Sequence, residues 1–242
     1  MAQLIHVTDL SKQAFDLYRK HFLDFLRLLV WLLVPTILSA LLPITSLNEL
    51  SLAIADGFLS LIMIVISLWI SVVLVDMIVE YERISSNEKR IREGSWGTAG
   101  RVVDFSIVSF LQGIVVALGF ILFIIPGIIF AVWFSFSRYA MLIDGTSPGS
   151  EALRHSKALV VGRFWSIVWR WFGTYLYFGS LILLGTIALL ALLGAVLGNA
   201  GLAFAAEPAW WATLIIGVVS VLVTPLFIAV GVLLYNNAKH TQ

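Results

Sequence analysis

Six long apolar runs separated by polar segments set the pattern of this chain. They fall at about 22–42, 52–79, 102–124, 128–143, 172–197 and 209–234. All but the fourth reach the roughly 20 residues that carry a helix across a bilayer; the fourth has about 16. The pattern predicts an all-α polytopic membrane protein. It has six transmembrane helices in one domain over 1–242, with short interfacial amphipathic helices before the first and fifth spans.

The segments between the runs add detail. Val7, Leu10, Ala14, Leu17 and Tyr18 recur at helical spacing, with Lys12, Asp16, Arg19 and Lys20 mostly off that face. This predicts an amphipathic helix, with Thr8 at its N-cap and Asp9 in its first turn, lying in the membrane interface or extending the first span. Pro35 and Pro225 fall inside spans and predict kinks. Pro126-Gly127 predicts the turn between the third and fourth spans, because proline ends a helix and glycine accepts positive φ. After Asp144-Gly145, Ser147 is expected as N-cap, Pro148 at N1 and Glu151 in the first turn of a short helix over Glu151–Val161. A straight helix from Phe164 to Leu197 would be about 50 Å long at 1.5 Å per residue. The stretch Trp165–Phe172 is therefore expected in the interface, ahead of the fifth crossing.

Composition moves the reading from a large core to a lipid environment. Of the 242 residues, 60% are hydrophobic and only 12% charged, against about 25% charged in a soluble domain. Mean hydropathy is +1.01. The N-terminal twenty residues carry Asp9 and Asp16 and have no continuous apolar stretch, so they do not read as a signal peptide. There is no cysteine, which excludes disulfides and thiolate chemistry.

The distribution of charge carries more than its sum. Lys12, Arg19, Lys20 and Arg27 precede or open the first span. Arg83, Lys89, Arg90, Arg92 and Arg101 lie between the second and third, and Arg138, Arg154, Lys157, Arg163 and Arg170 between the fourth and fifth. Lys239 follows the sixth. With six crossings all fifteen fall on one side, and the positive-inside rule predicts that side, with both termini, to be cytoplasmic. Tyr18, Tyr81, Tyr139, Trp165, Trp169, Trp171 and Tyr235 then mark the inner interface, and Trp210 and Trp211 the outer one. Trp31 and Trp69 fall deeper and are expected to pack between helices.

Ionisable groups within spans are the first candidates for chemistry. They are Asp56, Asp76, Asp104, Arg138 and Arg170, all toward span ends, where each also has an ordinary structural role. Asp76, Asp104 and Arg138 share a depth on the basic side and form a candidate intramembrane cluster, with Arg138 paired to one of the carboxylates. Arg154, Lys157 and Arg163 form the candidate contact with anionic lipid headgroups. No span carries a charge at its centre, which argues against an ion pump. The four histidines are scattered, and no nucleophile elbow, Walker loop or dinucleotide fingerprint occurs. No catalytic residue, metal site, cofactor or nucleic-acid partner is expected.

Around the fourth span, Ile125-Pro126-Gly127-Ile128-Ile129 is followed by Ser150-Glu151-Ala152-Leu153-Arg154-His155-Ser156 and then Gly162-Arg163-Phe164-Trp165. In this order the chain resembles a group of uncharacterised bacterial six-helix integral membrane proteins, the YciC-like proteins. The group is related to the membrane domain attached to some glycerophosphodiester phosphodiesterases. The motifs cover about 45 residues, and His155 stands where a basic residue is common. The resemblance implies a polytopic protein of the bacterial inner membrane and carries over no functional residue. The soluble phosphodiesterase barrel has no counterpart here.

The expected role is a non-enzymatic membrane scaffold that touches membrane lipids, anionic ones included, and a protein partner or a second copy of itself. A small transporter or channel is the alternative, and a membrane-embedded lipid-processing enzyme comes third.

Overall fold

The computed structural model describes residues 4–45, 48–85, 99–198 and 209–241. The expected basic loop residues Lys89, Arg90 and Arg92 lie outside these, as does most of the loop 198–208 with Glu207. All regular structure among the described residues is helical. The order is α1 (Val7–Lys20), α2 (Phe22–Leu41) with a 3₁₀ turn at Leu42–Ile44, α3 (Glu49–Ser85), α4 (Ala99–Leu122) and α5 (Ile124–Trp133). There follow α6 (Ser137–Tyr139), a π-helical turn (Ala140–Asp144), α7 (Ser150–Val160), α8 (Phe164–Val196) and α9 (Trp210–His240). Six stretches are long and apolar enough to cross a bilayer: Phe22–Ile44, Glu49–Glu82, Ala99–Leu122, Ile124–Asp144, Phe164–Val196 and Trp210–His240. The protein is an all-α, multi-pass membrane protein.

The turn between the third and fourth spans differs from its sequence expectation. It falls at Phe123, which is extended (φ −167°, ψ 159°), and α5 begins at Ile124. Pro126 sits in the first turn of α5, where a backbone N–H has no helical acceptor to lose. Gly127 is not among the glycines with positive φ; its missing side chain serves close approach instead. A Cβ on Gly127 would stand 2.4 Å from the Phe120 ring, and one on Gly119 would stand 3.0 Å from the Gly127 Cα. Helices α4 and α5 thus meet nearly backbone to backbone, as small residues allow in a membrane. With the turn moved forward, the fourth span has 21 residues rather than about 16.

That span is not one helix. Between Trp133 and Ser137 the chain unwinds, and one side chain from α7 takes up two of the backbone groups it frees. The Ser156 hydroxyl donates to the Trp133 carbonyl (2.7 Å) and accepts from the Phe136 N–H (3.0 Å). Ser156 is fully buried. It lies on a helical stripe with Ala152, Leu153, Leu159 and Val160, all of them buried. Irregular backbone at this depth is tolerated only where protein replaces the missing partners.

Helix starts also depart from expectation. Helix α7 begins at Ser150 with Gly149 at the cap position in a φ of 108°, so Ser147 and Pro148 precede the helix. A glycine there lets the chain reverse where an L side chain would be strained. Glu151 is in the first turn as expected. Helix α1 starts at Val7, with the Leu10 N–H bonded to the His6 carbonyl (2.9 Å), which places Thr8 inside the helix. It presents Leu10, Ser11 and Ala14 inward. The polar stretch after Leu234 continues α9 to His240, and its side chains are bound, as described below.

The chain divides into two compact units. One comprises Met1–Lys20, Leu68–Thr174 and Leu226–Gln242; the other comprises His21–Ser67 and Tyr175–Pro225. The first holds most of the fully buried large side chains. Ile70, Leu74 and Ile78 of α3, Phe136, Leu159, Ile167 of α8, and Leu234 and Tyr235 of α9 are all below 2% exposed. In the second unit Ser39 donates to Asp56 Oδ1 (2.7 Å), which ties that carboxylate to α2. Leu190 and Ala212 are buried there with Trp211 and Ile215 against them. Trp31, expected between helices, is 63% exposed, and Phe58 and Leu192 are similarly open. In a bilayer such side chains face acyl chains, and no core is needed to hide them.

Replacing Ser156 by alanine leaves two buried backbone groups without partners. It should lower stability in detergent by about 1–3 kcal/mol, read by thermal or SDS denaturation. Gly119→Val, forced against the Gly127 backbone, should cost a similar amount by overpacking. Gly113, where a Cβ would meet nothing within 4 Å, is the control: Gly113→Ala should be neutral or stabilising.

Candidate functional site

Polar side chains in the first unit gather around the last turns of α9. Asp144, at the end of the π-helical turn, is 12% exposed. It accepts from the Tyr235 hydroxyl at 2.6 Å and from the Lys239 ammonium at 2.7 Å. His155 Nε2 stands 3.4 Å from its second oxygen, within ion-pair range. One turn of α9 places Tyr235 and Lys239 on the same face, four residues apart. The Asn236 amide donates to Glu82, and Asn237 Oδ1 accepts from the Ile5 N–H at 2.9 Å.

Two arginines hold backbone rather than carboxylates. Arg163 donates to the carbonyls of Leu159 (3.2 Å) and Ala238 (3.0 Å) and to the Thr241 hydroxyl (2.8 Å). Arg170 donates to the carbonyls of Leu4 and Ile5, each at 2.6 Å, and of Ser166 at 2.8 Å. The Leu159 and Ala238 carbonyls lie in the last turns of their helices and those of Leu4 and Ile5 precede α1, where intrahelical donors run out; that of Ser166 lies in the first turn of α8. Arg163 was expected to meet lipid headgroups; its guanidinium instead fastens the end of α9. Of the other two residues expected to meet headgroups, Arg154 is exposed, and Lys157 places its ammonium 4.2 Å from the Trp133 ring centroid.

The expected cluster of Asp76, Asp104 and Arg138 does not form as drawn. Asp76 is ion-paired with Arg101, whose other amino group donates to the Leu142 carbonyl at 3.0 Å. That carbonyl belongs to the π-helical turn. In the charge pattern Arg101 stands only as a marker of topology. Its place two residues inside α4, facing a carboxylate one crossing earlier, was a usable signal. Among the described residues no ion pair joins Arg138 to Asp76 or Asp104. Arg138 lies 6.0 Å from the Phe105 ring centroid, its side chain exposed.

Arg138 instead opens a groove of about 460 Å³ on the α4–α5 hairpin. The lining is Ser109, Gln112, Gly113, Val116, Ala117, Phe120, Ala131 and Arg138. The Gln112 side-chain oxygen accepts from the Ser137 hydroxyl at 2.8 Å, so its NH₂ remains a donor. The Ser109 hydroxyl is buried with no partner among the described residues. The polar end of the groove therefore offers donors and a cation and no carboxylate, and the far end is apolar. Among the described residues no three His, Asp or Glu side chains come together as a metal would require.

Asp144→Ala should destabilise the protein in detergent by about 1–3 kcal/mol, because it leaves the buried Tyr235 hydroxyl without its acceptor. Asp144→Asn, which keeps an acceptor oxygen, should cost less. Tyr235→Phe should add little in the Asp144→Ala background, a coupling that a double-mutant cycle measures. No family model matches the chain, and no curated protein or solved structure is significantly similar to it.

Proposed function

We propose that this multi-pass protein resides in a bacterial cytoplasmic membrane with both termini inside. There it works as a non-enzymatic scaffold, in contact with anionic lipid and with a protein partner or a second copy, and belongs with the YciC-like proteins. The observation that carries the orientation is the placement of all fifteen Lys and Arg residues on one side of six crossings. Such a bias is what insertion selects.

The use made of polar groups supports the non-enzymatic part. Asp144, Tyr235, Arg163, Arg170, Asp76 and Arg101 are committed to one another or to backbone carbonyls. Groups spent on holding helices together are poor acids, bases or nucleophiles.

Single cysteines test the orientation cleanly, because the chain has none of its own. Ser46→Cys and Ala203→Cys should react with a membrane-impermeant maleimide added to spheroplasts. Ser95→Cys should react only after permeabilisation. The reverse pattern would overturn the topology.

A further inference from the structure

Helix α4 turns Phe105, Val108 and Gly119 toward the protein and an apolar stripe away from it. The stripe is Val103, Ile107, Phe110, Ile114, Ala117 and Ile121, every one exposed. Its intervals alternate between four and three residues. That is the 3.5-residue repeat that keeps one seam on a partner helix in a left-handed pair, the commoner hand in membrane bundles. The stripe runs roughly 27 Å at 1.5 Å per residue, most of the roughly 30 Å hydrocarbon layer.

Charges of opposite sign flank it. Asp104 follows Val103, roughly 100° round the helix in one direction. Gly113 and Phe120, which line the groove with Arg138, lie about as far round in the other. The two charges sit at one level, since the Arg138 guanidinium is 6.0 Å from the ring of Phe105, the residue after Asp104. Phe105 and Val108, which separate them on the inner side, are buried. Among the described residues no ion pair reaches either charge.

We propose that α4 is the interface between two copies of this chain, related by a two-fold axis along the membrane normal. Copies inserted in the same orientation run their α4 helices parallel. The two-fold rotation then brings the Asp104 side of one seam onto the Arg138 side of the other. Asp104 meets Arg138 of the partner subunit, and the pair forms twice. Charges flanking the seam fix partner and register in parallel coiled coils by the same geometry. These charges also single out the face. The exposed face of α3 at Ile54, Phe58, Leu61 and Val65 has no such flank: Asp56, at the same level of that helix, is bonded to Ser39 of α2. Ionisable side chains in membrane helices pair with one another, and a second copy supplies the missing opposite charge to both residues at once. The proposal rests on the reading of the protein as a scaffold that meets a partner or a second copy, and it names the second copy.

Single cysteines in the full chain, oxidised with copper phenanthroline in native membranes, test the seam. Ile107→Cys and Phe110→Cys should give a covalent dimer at roughly five times the yield of Phe58→Cys or Leu184→Cys, or more. The latter two lie on other exposed faces. In the Phe110→Cys background, Asp104→Arg or Arg138→Asp alone should lower the dimer roughly fivefold, because each sets like charges against one another. Coexpressing these two variants under different tags should restore the cross-link between unlike copies, since both pairs are then of opposite sign. A role for the two charges within one chain would give no such rescue in trans. Seam cross-links no stronger than the controls would overturn the proposal. So would charge reversals without effect, or failure of the mixed pair to form. Any of these would strike the second copy alone and leave the cysteine-labelling result intact. A reversed topology would turn both copies over together and leave the cross-links unchanged.

Discussion

Backbone that leaves the helical ladder inside a membrane must find its partners within the protein, because lipid offers none. In this chain the constraint is concentrated in the three residues 134–136, between Trp133 and Ser137, and a serine from another helix meets much of it. Ser156 reaches in from α7 to hold the Trp133 carbonyl and the Phe136 N–H. The unwinding moves Arg138 off the register that an unbroken helix would give it. It also ends in a π-helical turn whose Leu142 carbonyl takes Arg101 and whose last residue, Asp144, takes Tyr235 and Lys239. A surface helix that looks peripheral is thus what makes the fourth crossing possible in its broken form.

The two compact units differ in how they meet this solvent. The first contains most of the fully buried large side chains and almost all the polar contacts between distant segments. Both expose long apolar side chains, Phe110, Ile121 and Phe123 in the first and Phe58, Leu61 and Leu192 in the second, but the second keeps few polar groups. In water such a unit would collapse or aggregate. In lipid the apolar face costs nothing, and packing contacts rather than solvent exclusion must order it.

What could be read in the sequence follows from the length scale of each signal. Six spans were legible because hydropathy over twenty residues has few alternatives, and the face of α1 because its apolar spacing repeats. Turns were less legible. Pro126-Gly127 carries the strongest local signal for a bend, but proline in a first helical turn and glycine at a close crossing are equally stable uses of the same pair. The ion pairs were least legible. Depth along the membrane brought Asp76, Asp104 and Arg138 to one level, but depth says nothing of azimuth around each helix, and Arg101 took Asp76. Asp144 looked like the end of an apolar run; only the register of α9 shows that Tyr235 and Lys239 converge on it.

The clasp on the N-terminal segment has a consequence for biogenesis. Leu4 and Ile5 are gripped by Arg170 and Asn237, which follow them by 165 and 232 residues. Neither grip exists while the first crossings enter the membrane, so Leu4 and Ile5 stay unfastened until Arg170 and Asn237 have been made. The segment that precedes α1 is thereby locked late, by residues on the helices of the fifth and sixth spans.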